Sequence, residues 1–236
     1  MIIHTVRAEL VERYIFNYRM PIDAMAAILP VSWLQPQIVN GYAVASFCAL
    51  DLRHIVPAPL CPVAGPSSIS SAPRYAVMNM SGDEPEPAVF LTRRFTNSRI
   101  GSWITACTCI APHPHAPAVI RHGVGAVEVS IKGTDSAFYG RACTDPAWSG
   151  SALFGSVGEF AGLIAVGKTS YGYCNRPHHL THIDLKKTDG IYEPLSVSDV
   201  CSPTISVWEK YGAEFDSAFR TCGGVYEWTY QGLVEV

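Results

Sequence analysis

The sequence has no lysine between Met1 and Ile131; its five lysines, Lys132, Lys168, Lys186, Lys187 and Lys210, all lie beyond that point. Charge is scarce in general. Asp, Glu, Lys and Arg make up 16% of the 236 residues, against roughly a quarter in ordinary soluble domains. No basic stripe runs along the chain, and a formal net charge of −3 argues against a nucleic-acid partner. No apolar run reaches the length of about 18 residues that a membrane-spanning helix needs, and no repeat, charge block or low-complexity segment marks a linker. The start, MIIHTVRAEL, lacks the basic end and long apolar run of a secretory leader. Eight cysteines are spread through the chain, where a disulfide framework would be short and dense. These absences lead to the expectation of a cytoplasmic protein with mostly buried thiols and no membrane partner.

What is present is apolar and β-forming. Hydrophobic residues make up 48% of the chain, and a chain of this length buries roughly 70% of its unfolded surface, so one domain over residues 1–236 is expected. Strands are read at Tyr14–Arg19, Gly41–Leu52, Ala76–Met80 and Ala88–Ile100. Two more lie at Val124–Ile131, with alternating Val127, Val129 and Ile131, and at Val225–Tyr230, with Tyr226, Trp228 and Tyr230 on one face. Val56–Pro73 is rich in Pro, Ser and Gly and reads as a long loop, because proline removes ladder donors. Helices are few. Ile22–Leu29 is closed by Pro30; a second starts at Ser156, whose spacing to Glu159 is that of a capping box, and ends at Gly167; a third runs from Val207 to about Arg220. The class is α+β, mainly β, with closure of the strands into a barrel as the way to remove sheet edges.

Several segments, in their order and spacing, resemble the acetoacetate decarboxylase-like superfamily. The first half carries Tyr18-Arg19-Met20-Pro21-Ile22-Asp23-Ala24-Met25, then Leu29-Pro30, then the strand Val44–Leu52, then Glu86-Pro87-Ala88-Val89-Phe90 leading to Arg93. The second half carries Gly155-Ser156-Val157-Gly158-Glu159-Phe160, Ser170-Tyr171-Gly172-Tyr173, Asp184-Leu185 and Tyr192-Glu193-Pro194-Leu195, and is similar to a bacterial branch lacking the Schiff-base lysine pair. The resemblance implies an antiparallel, cone-like β-barrel with a few short flanking helices, an internal pocket and a homo-oligomer.

A decarboxylase of that family uses a neutral lysine amine to form an imine with a keto acid. Where the family has a Gly-Arg-Glu strand, this chain has Arg93 on the arginine and Arg94 in place of the glutamate. The lysine pair falls near Ile100 and Gly101. Arginine stays protonated and cannot replace the amine. Two rescues are read: Lys132, which either projects into the pocket from the next strand or is a solvated turn lysine before Gly133, and Lys186-Lys187, which, ahead of the turn Thr188-Asp189-Gly190, reads as a surface pair. If Ala88–Ile100 is a strand, Arg93, Phe95, Asn97 and Arg99 share a face, and two guanidinium forks beside a ring suit a carboxylate or phosphate. Arg19 joins them by the resemblance. The competing reading pairs these arginines with acids such as Glu128 or Asp51, or leaves them on a solvated edge.

The expectation is therefore a pocket for a small oxo-acid-like or other anionic ligand, with Arg19, Arg93, Phe95 and Arg99 as binding residues and no cofactor. The alternative is a lyase acting on a small keto acid, with Lys132 and Glu128 as catalytic groups. Metal binding at Cys107, Cys109, His113 and His115, or at His178, His179 and His182, lacks the usual ligand spacing. Ala147-Trp148-Ser149-Gly150-Ser151 lacks the leading glycine of a nucleophile elbow.

Overall fold

The computed structural model describes residues 4–58, 65–108 and 111–236. The elements in chain order are β1 (Thr5–Met20), α1 (Ile22–Ile28), β2 (Leu34–Pro36), β3 (Ile38–Val39), β4 (Tyr42–Pro57), β5 (Ser68–Asn79), β6 (Glu86–Leu91), β7 (Phe95–Thr96) and α2 (Arg99–Thr108). There follow β8 (Ala118–His122), β9 (Val127–Ile131), β10 (Phe138–Thr144), α3 (Val157–Val166), β11 (Thr169–Tyr173), β12 (His179–Asp189), β13 (Tyr192–Cys201), α4 (Pro203–Lys210), β14 (Glu214–Cys222) and β15 (Gly224–Glu235).

The strands join one sheet in the order β3-β4-β5-β6-β11-β12-β15-β1-β14-β13-β10-β9-β8. β1 also pairs β4 from Val6 to Met20, so the path β4-β5-β6-β11-β12-β15-β1 returns on itself. The remainder, β14-β13-β10-β9-β8, continues from β1 as a second curl. The sheet is mixed, because β11 runs parallel to β6; the purely antiparallel sheet implied by the resemblance is corrected at that pair.

Pairing register divides the ring's side chains into two sets. Tyr75 sits opposite Ala45 and Phe90, and this set joins Tyr14, Phe16, Tyr18, Phe47, Phe138 and Trp208 in the main core. Phe47 stacks on Phe138 with ring centroids 3.9 Å apart, and the Trp208 indole donates to the Tyr75 hydroxyl at 2.8 Å. The other set faces into the ring. There Cys48 opposes Ala72, Arg74 opposes Leu91, Ser170 opposes Ile183 and Lys187 opposes Tyr226. Many of these inward residues are small, and a closed ring with small inward side chains leaves space at its centre.

Several expectations hold. α1 follows Pro21 and buries Met25. β9 buries Val127, Val129 and Ile131. At α3 the Ser156 Oγ accepts from the Glu159 amide at 3.2 Å, while Glu159 reaches back to the Gly155 amide at 2.8 Å. Others are corrected. The strand read from Ala88 ends at Leu91, and 99–108 is a helix whose Ser98 Oγ accepts from the Gly101 amide at 3.0 Å. Ser68–Pro73 belongs to β5, although Pro73 was read as excluding a strand. It lies opposite Phe47 of β4, and on its other side it falls between the β7 pairing at Ser70 and Ser71 and the β6 pairing that starts at Arg74, a gap in the ladder where a missing donor is tolerated. Residues 59–64 of that expected loop lie outside the described residues. The third helix lies earlier, over Pro203–Lys210, capped by the Ser202 Oγ, and β14 fills the rest of the span. Of the described cysteines, all free, Cys48 alone is buried, against the expectation of mostly buried thiols. No helix of the described residues is long and apolar enough to cross a membrane.

Candidate functional site

The inward face of the ring encloses a cavity of about 440 Å³, with α2 and α3 contributing to its walls through Ile104, Thr105, Leu163 and Ile164. Its apolar surface comes from Leu50, Leu52, Leu91, Ile183, Leu185 and Trp228. Its charge is of one sign. Arg13, Arg74, Arg94, Lys168 and Lys187 line it, and no Asp or Glu is found among the described lining residues.

None of the residues read from the sequence as binding or catalytic groups is among the described lining residues. Arg93 is exposed and donates to Asp135 at 2.7 Å. Arg99 is exposed at the start of α2. Phe95 is buried in the main core. Arg19 pairs with Glu214 and lies over the Tyr42 ring at 5.7 Å. Lys132 is exposed in the turn after β9, and Glu128 faces away from the buried side of β9, 3.8 Å from Arg141. The shared face of Arg93, Phe95 and Arg99 required a continuous strand; the break after Leu91 and the Ser98 cap remove it. Lys187, expected on the surface, faces the cavity because β12 continues as a strand through the presumed turn. No group that could hold a metal is found among the described residues. His182 stacks on Tyr171 and lies 3.4 Å from Asp184, and Cys109 lies outside the described residues.

Three arginines replace the expected ones. Arg13, on β1, is 4% exposed; its Nε donates to the Cys48 Sγ at 3.3 Å and its Nη1 to the Tyr226 hydroxyl at 3.0 Å. Arg74 alternates with Tyr75 along β5, so the tyrosine enters the core and the guanidinium enters the cavity. Burial, then the Arg13 charge, holds Arg74 below the usual arginine range. Arg94 lies in the connection between β6 and β7, 8% exposed, and its Nη2 is buried without a hydrogen-bond partner among the described residues. Burial pushes its pKa down to about 10. Gly172 on β11 backs it: a Cβ there would stand 2.7 Å from Nη1 and 2.9 Å from Nη2, so a larger residue would displace the guanidinium.

His113 completes this part of the wall. Its Nδ1 lies 2.7 Å from the Ala111 carbonyl and its amide donates to Thr105 Oγ1 at 3.1 Å. Burial first, then the Arg94 charge, push its pKa down to about 4, so the imidazole is neutral at pH 7. Folded His113 resists a proton that the unfolded chain accepts from its ordinary value of 6.5 downward. Its contribution to stability is thus complete above 6.5 and is lost as pH falls toward 4, by about 2 kcal/mol once the ring's cavity-facing surface is discounted. Urea unfolding from pH 7 to pH 4 measures the slope, and His113→Phe is expected to flatten it by that amount.

The alternation in SISSAPRYAVMN carried the signal for Arg74, since period two sets Arg74 against Tyr75. For Arg13 the face was ambiguous, because β1 bulges between Leu10 and Glu12. Arg94 stands at the family's glutamate position, where the period of a strand sets its side chain opposite to that of Arg93.

No protein-family model matches the sequence, and no curated protein is similar to it. Solved structures do match. Acetoacetate decarboxylase from Legionella pneumophila superposes with a TM-score of 0.67 at 14% identity, over 97% of this chain and 86% of that one. An acetoacetate decarboxylase-like enzyme from Sphingomonas wittichii RW1 gives 0.61 at 13% identity, over 98% and 92%. The enduracididine biosynthesis enzyme MppR, complexed with pyruvate, gives 0.61 at 11% identity, over 98% and 89%. From end to end, this chain has the acetoacetate decarboxylase-like fold.

Proposed function

We propose that the cavity binds a small carboxylate of the oxo-acid kind through guanidinium charge, without forming an imine. The observation that carries this reading is the one-signed lining: five cationic side chains and no described carboxylate. Lys168 is exposed at the edge, whereas Arg13, Arg74, Arg94 and Lys187 are buried or half-buried; like charges so placed repel one another, and the cost falls when an anion enters. Planar guanidinium groups also match a carboxylate in geometry. The pyruvate bound to MppR, which has a similar fold, supports an oxo acid as the first ligand to try.

Titration of the wild type with 2-oxobutanoate and with its neutral amide tests the reading. The acid binds, the amide does not, and added salt weakens the acid. Arg74→Met weakens it at least about tenfold, the worth of one charge-assisted hydrogen bond, while Arg93→Ala and Arg99→Ala leave it unchanged. Equal binding of the amide, or no binding of the acid, rules the reading out.

One observation favours a second reading, a lyase acting on a small keto acid: the Lys187 amine is inside the ring. Its Nζ donates to the Ile164 carbonyl at 2.7 Å, a contact that suits the ammonium, whereas imine formation needs the neutral amine. Borohydride reduction in the presence of 2-oxobutanoate is expected to leave every lysine unmodified. A reduced adduct on Lys187 would establish the second reading in place of the first.

A further inference from the structure

We propose that Arg94 and His113 form a subsite for a carboxylate with a neighbouring hydroxyl, so that the cavity prefers 2-hydroxy acids to 2-oxo acids of the same skeleton. The inference rests on the anion-binding reading above and deepens it by naming the ligand class.

Arg94 supplies the anchor. Buried donors are almost always satisfied in folded proteins, yet Arg94 Nη2 is enclosed and has no described partner. It cannot retreat toward β11, where the Gly172 backbone already lies against the guanidinium. Arg94 also lines the cavity, and a ligand oxygen there is an acceptor for the part of the guanidinium that is not enclosed.

His113 supplies the selectivity. The Ala111 carbonyl beside Nδ1 can only accept, so the Nδ1 carries the ring proton. In the neutral ring, Nε2 is then a lone pair, and no hydrogen bond engages it among the described residues. Carboxylate acceptors are missing from the described lining, and the hydroxyls of Ser68 and Thr96, bonded to each other at 2.6 Å, are weaker acceptors than an imidazole nitrogen. Nε2 is thus the strong acceptor at this wall. A ligand hydroxyl can donate to it, whereas a keto oxygen would set lone pair against lone pair. Sites built to hydrogen-bond a hydroxyl discriminate strongly against analogues that lack it.

Calorimetric titration with 2-hydroxybutanoate and 2-oxobutanoate, at about pH 8 where an imidazole is neutral, reads the preference directly. The wild type is expected to bind the hydroxy acid at least about tenfold more tightly, the worth of one hydrogen bond. His113→Phe brings the ratio to about one, and Arg94→Met weakens both ligands. The nitrogen chemical shift of His113 Nε2 in the wild type moves with the hydroxy acid and not with the oxo acid, a readout that survives if a variant fails to fold. A wild-type ratio near one, a ratio retained in His113→Phe, or an unmoved Nε2 resonance overturns the subsite. Salt-sensitive oxo-acid binding without a hydroxy-acid preference overturns the subsite alone, whereas no carboxylate binding at all overturns the anion-binding reading with it.

Discussion

Arg94→Met is expected to make the ligand-free protein more stable and to weaken its ligand binding at the same time. Arg94 is a buried cation with one guanidinium nitrogen unpartnered, and no described acid pairs with it. Replacing a buried charge by an apolar side chain of similar length is often neutral or stabilising. Methionine keeps the length of the stem and removes the desolvated charge. The expected gain is about 2 kcal/mol, or about 4–8 °C in melting temperature for a chain of this size. The wild type gains about 2.7 kcal/mol from a carboxylate at a hundred times its dissociation constant, and a variant that binds about tenfold more weakly gains about 1.4 kcal/mol at the same concentration. A thermal scan with and without ligand measures both halves. An Arg94 that serves packing would give the opposite pair: a lower melting temperature with the ligand shift retained.

The second large effect lies on the outward side of the ring. Trp208 on α4 is 1% exposed, its ring edges meet Tyr18 at 5.6 Å, and its indole donates to Tyr75. Trp208→Ala removes the largest fully buried side chain and leaves the buried Tyr75 hydroxyl without its donor, for a loss of about 3–5 kcal/mol. Trp208→Phe keeps most of the ring volume and loses mainly the hydrogen bond, about 1–2 kcal/mol. Tyr75 and Arg74 are neighbours on β5 with side chains on opposite faces. The folded fraction of either variant is therefore expected to keep its ligand affinity within about twofold, under the half kcal/mol or so that independent sites exchange. Urea unfolding gives the stability, and titration of the refolded protein gives the affinity.

The contrast between these two faces explains what could be read in the sequence. Elements specified by neighbours in the chain were legible: the alternating valines of β9, the Ser156 cap of α3, the proline that opens α1, and the Tyr226, Trp228 and Tyr230 face of β15. The charged residues that line the cavity depended on contacts distant in sequence. Which face of β1 and β4 looks inward is set by ring closure between the two strands, and a one-residue bulge in β1 exchanges faces along it. The short Ser98 hydroxyl contact to Gly101 turned an expected strand into a helix and moved Arg99 to the surface. The reading of a guanidinium-lined pocket attached itself to Arg93 and Arg99, whereas the cavity's guanidinium groups come from Arg13, Arg74 and Arg94. Lys187 escaped notice because Thr188-Asp189-Gly190 has the composition of a turn, while Thr188 continues β12 opposite Val225.

The most direct measurement is a crystal structure of the protein soaked with a 2-oxo or 2-hydroxy acid. The account predicts density inside the ring with carboxylate oxygens at about 2.7–3.2 Å from the guanidinium nitrogens of Arg74 or Arg94, and a clear gap between the ligand and Lys187 Nζ. Continuous density joining the ligand carbon to a lysine nitrogen, or a ligand bound only beside Arg93 and Arg99 on the surface, would contradict it.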